Sequence, residues 1–251
     1  MKPVSFFLKT TKFAGLVALS VLTTDLRADA PAVHDEPDEY AVARVSDPFE
    51  SVNRALFKFN DGFYKYAFRP VAHGYERITP RPVRQGINNF FDNLKFPVRF
   101  VSCLFQGKVR RAGLETQKFL LNSTAGVAGF FRVSDSVPRL VDVPPEDVGL
   151  TFGAWRIGTG PYLVLPFFGP SSLRDAVGLA GNAVLNPVWS PASRKIEWYD
   201  STWRFGIRTL NLIELAPEQM RAYDGFRKLA VDPYVSVRNG YLQYRAALAK
   251  K

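Results

Sequence analysis

The chain has 251 residues, of which 47% are hydrophobic and 14% aromatic, and a net charge of +10. That is enough apolar material for one large domain. A single cysteine, Cys103, excludes an internal disulfide, and two histidines leave any metal cluster to rest on carboxylates.

Lys2, Lys9 and Lys12 come first, then an apolar run from Phe13 to Leu22, then small residues at Ala28, Ala30 and Ala32. This is the pattern of a secretory signal peptide. Cleavage after Ala30 would put Pro31, with its fixed φ and missing N–H, at the scissile bond. Cleavage after Ala32 is expected instead, removing residues 1–32 and leaving Val33 first. The apolar run is shorter than the ~20 residues a span needs, and no cysteine follows it to take a lipid. The removed segment holds four Lys/Arg and two Asp/Glu, so the net charge passes from +10 to +8. An exported basic chain meets few nucleic acids. Anionic lipid headgroups, other envelope polyanions and acidic proteins suit its charge better.

Residues 33–46 are acidic, contain Pro37, show no periodicity and read as a mobile lead-in. One domain is expected over residues 47–251. Asp47, Pro48 and Glu50 have the order of an N-cap, an N1 proline and an N3 acid. Phe49, Val52, Leu56, Phe59, Phe63 and Ala67 follow at helical spacing, with Arg54, Lys58, Asp61, Lys65 and Arg69 on the other face. Pro70 is expected to end this helix. Such a helix covers a core or lies in a membrane interface, and periodicity alone favours the core.

Further helices are expected after Pro82, from Pro97 to near Gly107, and from Arg110 to Asn122. The small apolar run Ala125 to Phe131, with Gly126 and Gly129, suits close backbone packing. Ser134 to Pro145 reads as a connection, with His73 earlier in a loop. After the central segment come helices from Ser172 to Leu185, Pro191 to Leu212 and Pro217 to Leu229. Asp232-Pro233 starts a last one. DPFESV at Asp47 and DPYVSV at Asp232 read as shared capping chemistry rather than a repeat.

The central segment runs from Glu146 to Asp175. Gly158 and Gly160 lead into Pro161, then the apolar run Tyr162, Leu163, Val164 and Leu165 ends at Pro166. An apolar run bracketed by glycines and prolines reads as a short strand or hairpin in a helical protein. It carries no acid, base or thiol. Glu146-Asp147 fits a first helical turn, and Ser171-Ser172 fits a helix start. No G-x-S-x-G elbow occurs, and Gly158-Thr159-Gly160-Pro161 is not a dinucleotide fingerprint. The chain therefore reads as a non-enzyme, with no catalytic residue, metal site or cofactor, and Cys103 reads as a buried small hydrophobe.

Six ordered blocks carry a resemblance: DPFESVNRALFKFN, RPVRQGINNFFDNL, QGK at Gln106, FLLNSTAGVAGFF, the whole Glu146–Asp175 segment, and DPYVSVR. From Asp47 nearly to the end, the chain resembles the MlaA family, also called VacJ. The resemblance implies an all-α fold of broken amphipathic helices, ring-like around a channel, with one short apolar hairpin. It implies an outer-membrane location facing the periplasm and removal of phospholipids that have strayed into the outer leaflet. The partners it implies are phospholipid, a trimeric porin and a soluble periplasmic, MlaC-like carrier. It turns the aromatic helix toward the membrane, so that Phe49, Phe57, Phe59, Asn60 and Phe63 become membrane-facing or channel-wall residues. It makes Gly158 and Gly160 hinges, and the stretch Gly158, Gly160, Pro161, Tyr162, Leu163, Val164, Leu165 and Pro166 the lipid channel and hairpin. Three positions depart from the family pattern. There is no lipobox cysteine, Arg132 replaces an acid, and Arg156 follows Trp155 where glycine is usual. Without the lipobox, membrane attachment is expected to come from the fold and its partner.

Overall fold

The computed structural model describes residues 47–191, 193, 201–213, 224 and 230–250. The expected signal peptide and lead-in lie outside the described residues, as does nearly all of the helix expected over Pro217 to Leu229. The described chain is all-α apart from one two-stranded antiparallel sheet.

Helix α1 (Glu50–Phe63) passes through a turn of π-helix (Tyr64–Phe68) into α2 (Arg69–Ile78). Pro70, expected to end the helix, stands instead in the first turn of α2. A proline has no N–H for the carbonyl one turn back. The wider turn just before it absorbs that loss without breaking the axis, with the Arg69 N–H reaching the Tyr64 carbonyl. His73 is consequently on a helix, not in a loop. Most of the aromatic stripe of α1 does not face a core. Phe49, Val52, Phe59 and Phe63 are exposed, and the buried face carries Asn53.

Asp47 is a correction too. It does not cap α1. Phe49 holds the cap position, without a side-chain bond. The Asp47 carboxylate is buried and accepts from Asn53 Nδ2 at 2.9 Å, from Arg238 at 3.3 Å and from the Tyr234 hydroxyl. Asp232 does cap the last helix, accepting from the Tyr234 and Val235 N–H groups at 3.0 and 3.2 Å. The two similar segments thus differ in capping but meet in space. Arg238 pairs with Asp47, and Arg54 with Asp232 at 2.9 Å.

Helix α3 (Arg81–Leu94) leads into α4 (Phe96–Phe105) and α5 (Val109–Thr124). Buried Arg99 on α4 donates to Glu115 on α5 at 2.7 Å, and Phe96 stacks on Phe119 at 4.4 Å. Cys103 is fully buried in α4. Burial, with Glu146 and Glu115 near, pushes its thiol up to about 11, which keeps it unreactive. The small-residue run after α5 does pack closely. A Cβ on Gly126 would lie 2.1 Å from the Phe131 carbonyl oxygen. A 3₁₀ turn (Val133–Ser136) and the one-turn α6 (Pro138–Val141) follow.

Helix α7 (Val148–Ala154) is capped by Asp147, which accepts from the Leu150 N–H at 2.8 Å. Glu146 does not belong to that turn. It is buried and gathers Gln106 at 2.7 Å, Lys108 at 2.8 Å and Arg111. Strands β1 (Tyr162–Leu165) and β2 (Gly169–Ser172) pair with Leu165 opposite Gly169. Then come α8 (Leu173–Leu185), α9 (residues 201–213) and α10 (Pro233–Ala249). Ser172 caps α8, accepting from the Asp175 N–H at 3.2 Å, whereas Ser171 is a strand residue. Ser172→Ala is expected to cost about 0.5–2 kcal/mol in urea unfolding. Ser171→Ala leaves the cap in place.

Candidate functional site

The edge of β1 that does not pair with β2 is bonded by side chains of α1. Asn53 donates to the Tyr162 carbonyl and accepts from the Val164 N–H, both at 2.9 Å. Asn60, two turns further along the same face, donates to the Leu165 carbonyl at 2.9 Å and accepts from the Phe167 N–H at 2.8 Å. Each carboxamide presents one N–H donor and its oxygen to the hairpin, as a neighbouring strand would. The hairpin is therefore fixed to α1 at both its root and its tip.

The tip is unusual in its backbone. Phe167 has a φ of +66° and Gly169 one of +83°. Glycine adopts that region freely, while a phenylalanine there stores strain of about 1–3 kcal/mol. Phe167 is held by Asn60 and by edge-on contacts with Phe59 and Phe63, at centroid distances of 5.3 and 4.8 Å.

Between α1, the π turn, the hairpin tip and α10 lies a cavity of about 670 Å³. Phe57, Asn60, Phe63, Tyr64, Phe68, Val164, Phe167, Phe168, Val237, Gly240, Tyr241 and Tyr244 are among its walls. Most of this surface is aromatic or aliphatic. The volume is in the range of small-molecule sites.

Under the cavity wall lies a charged network. Tyr241 donates to Asp175 at 2.6 Å, and Arg245 donates to Asp175 at 2.8 and 2.9 Å and to Asp147 at 2.6 and 3.1 Å. Burial opposes ionisation of Asp175, but the bonds from Arg245 and Tyr241 outweigh it and hold the carboxyl below the usual range. A depressed folded-state pKa adds stability above the unfolded value of about 3.9, and that stability is lost as pH falls through the folded value. Urea midpoints are expected to fall below about pH 4. The fall should be shallower in Asp175→Asn, which has no such carboxylate to protonate. Arg174 belongs to this network and not to the cavity. Its side chain is buried and its Nε lies 3.2 Å from Asp175.

Several residues singled out from the sequence come together here. Phe57, Asn60, Phe63 and Val164 line the cavity. Tyr162 and Val164 are buried in a cluster with Tyr234, against Leu56, Phe57, Val235, Tyr241 and Leu242. Phe59 braces the tip from outside, and Phe49 is exposed at the start of α1. Gly158, Gly160, Pro161, Leu163, Leu165 and Pro166 are not in the cavity wall. Gly160 has a φ of +68°, and a Cβ there would meet Leu173 at 3.0 Å. Gly158 has open space around it and no positive φ. Sequence reasoning missed Asn53, Tyr241 and Tyr244. A signal for Asn53 was present, since it stands seven residues before Asn60 and so on one helix face.

The model of the family described as MlaA lipoprotein matches residues 45–248. The chain belongs to the MlaA lipoprotein family. It is 35% identical over 200 residues to the intermembrane phospholipid transport system lipoprotein MlaA of Shigella flexneri, covering 79% of this chain and 76% of that one. Identity to the protein of the same name from Escherichia coli K12 is 34%, with the same coverage. A solved structure concerned with the maintenance of bacterial outer membrane lipid asymmetry is similar with a TM-score of 0.66 and 32% identity, covering 81% of this chain and 99% of that one. The MlaA-like all-α fold expected from the sequence is thus the fold observed. No helix among the described residues is long and apolar enough to cross a membrane.

Proposed function

We propose that this chain removes mislocalised phospholipids from the outer leaflet of the bacterial outer membrane and passes them to a periplasmic, MlaC-like carrier. The observation that carries this reading is the aromatic-walled cavity beside the hairpin tip. Each methylene of an acyl chain is worth about 0.8 kcal/mol when taken out of water. An apolar cavity offers a tail nearly what the bilayer offers, so transfer between them needs no large input of energy. Movement then follows the lipid's own gradient, with energy supplied elsewhere in the system. The step breaks no bond, so the chain acts as a transport component and not as an enzyme.

The exposed stripe of Phe49, Val52, Phe59 and Phe63 supports a place in a membrane interface for α1. The mature protein is placed at the outer membrane, facing the periplasm, after export. A trimeric porin is the proposed protein partner there. The same exposed stripe also fits a second reading, a scaffold that grips porins without moving lipid.

Gly158 and Gly160 are proposed as hinges of the hairpin. Gly158 is the informative one, since nothing in its static surroundings demands glycine. Gly158→Val is expected to impair lipid removal at wild-type abundance and helix content. Normal outer-leaflet phospholipid in that variant would count against the hinge.

Co-purification separates lipid transport from scaffolding. Mass spectrometry of the protein extracted with its porin is expected to find phospholipid, and Phe63→Asp is expected to reduce it relative to protein. Equal lipid in both would favour the scaffold.

A further inference from the structure

A second cavity, of about 460 Å³, opens where α2 ends and α3 begins. It shares no wall residue with the apolar cavity. Its walls hold three guanidinium groups, Arg77, Arg81 and Arg84, against one carboxylate, Glu76. Arg84 gives its Nη1 to Glu76 at 2.6 Å. Its Nε is buried with no acceptor. Arg77 and Arg81 are exposed and make no ion pair with a described residue. The cavity therefore carries two cations in excess of its carboxylate. Ile78, also in its wall, is 80% exposed, and Val83, next to Arg84 in the chain, is 48% exposed.

Solvated arginines on a basic protein are ordinary and need no ligand. Three guanidinium groups around one concavity with a single carboxylate, however, repel one another, and a bound anion relieves that repulsion. Planar guanidinium forks match the oxygens of a phosphate, and two net charges favour an anion. Exposed aliphatic residues beside a cationic cavity have the arrangement of a site at the boundary of headgroups and acyl chains. In a second basic cavity three of the four cations are engaged, and its wall also holds Arg110 and Asp142. At that site, Lys108 and Arg111 are held by Glu146, and Arg139 by Gln117.

We propose that the α2–α3 cavity receives the phosphate of a glycerophospholipid headgroup, held by Arg77, Arg81 and Arg84, with Ile78 and Val83 resting against the acyl boundary. This rests on the lipid-handling reading above and adds where the headgroup is held.

The test is flotation of the full mature protein with vesicles of phosphatidylethanolamine and phosphatidylglycerol at about 3:1, and with phosphate-free vesicles of digalactosyldiacylglycerol. Arg77→Gln/Arg81→Gln is expected to weaken binding to the phospholipid vesicles about tenfold or more. Arg110→Gln/Arg139→Gln, which removes the same charge elsewhere, is expected to change it less than about twofold. Neither pair should alter binding to the galactolipid. Equal losses in the two double variants would reduce the effect to diffuse charge and overturn the proposal. So would an unchanged Arg77/Arg81 variant. Inorganic phosphate titrated by calorimetry separates the sources. If it binds the wild type and not the Arg77/Arg81 variant, while vesicle affinity is the same in both, the cavity takes free phosphate and the proposal fails. Lipid transfer measured on the same samples keeps the readings apart. Selective vesicle loss in a protein that transfers no lipid upholds the headgroup site while the transport reading fails. Transfer by wild type with no selective loss upholds transport while the headgroup site fails.

Discussion

Asn53→Leu is expected to lower the unfolding free energy by about 2–5 kcal/mol, far more than an average substitution. Asn53 is 2% exposed and bonds the Tyr162 carbonyl, the Val164 N–H and Asp47. Leucine fills a similar space but leaves two buried backbone groups without partners, each costing about 1–3 kcal/mol. It also withdraws a donor from the buried Asp47 carboxylate. Asn60→Leu makes the same change at the exposed tip, where water replaces the lost partners, and is expected to cost about 1 kcal/mol. Urea titration of the two variants measures the difference. An Asn53→Leu midpoint equal to that of wild type would mean that α1 does not hold the hairpin.

Filling or charging the cavity is expected to cut lipid transfer about tenfold or more while the protein stays folded. Phe63 is an exposed residue in the cavity wall, so Phe63→Asp places a carboxylate where an acyl chain would lie. An unpaired charge against a hydrocarbon tail is costly, and water drawn to it competes with the lipid. Val237→Trp acts differently, by taking up volume from the α10 side. Agreement between the two points to the space itself, since one variant adds charge and the other only bulk. Leu163→Asp is the matched control, because Leu163 lies in β1 but not in the cavity wall. Val164→Asp is unsuited to this comparison. Val164 is buried with Tyr162 and Tyr234, and a charge there unfolds the hairpin first. Transfer rates normalised to folded protein decide it. Wild-type rates in Phe63→Asp and Val237→Trp would remove the cavity from the lipid path.

The helices were legible in the sequence where a cap and an apolar period agreed. Ser172 before α8 and Asp232 before α10 are such cases. The pattern at Asp47 looked the same and was not, because its carboxylate is taken by Tyr234, Arg238 and Asn53 from outside the first turn. Local spelling cannot register a competing partner 191 residues away. Pro70 misled for a related reason. A proline ends a helix unless the turn before it widens, and the π turn at Tyr64–Phe68 does so. The face of α1 could not be read from its period. Both a core stripe and an interfacial stripe repeat every 3.6 residues, and only exposure tells them apart. The hairpin was legible from its glycine and proline brackets. Its attachment to α1 was not, since two asparagines on an aromatic helix carry meaning only once a strand edge lies beside them.

The most direct measurement is transfer of a labelled phospholipid. Full mature protein, with its porin in vesicles, is mixed with an acceptor periplasmic carrier and followed over time. Lipid is expected to reach the carrier with wild type, at about a tenth of that rate or less with Phe63→Asp, and at close to the wild-type rate with Leu163→Asp. Transfer that is absent with wild type, or equal in Phe63→Asp and wild type, would contradict a lipid path through the cavity at the hairpin tip.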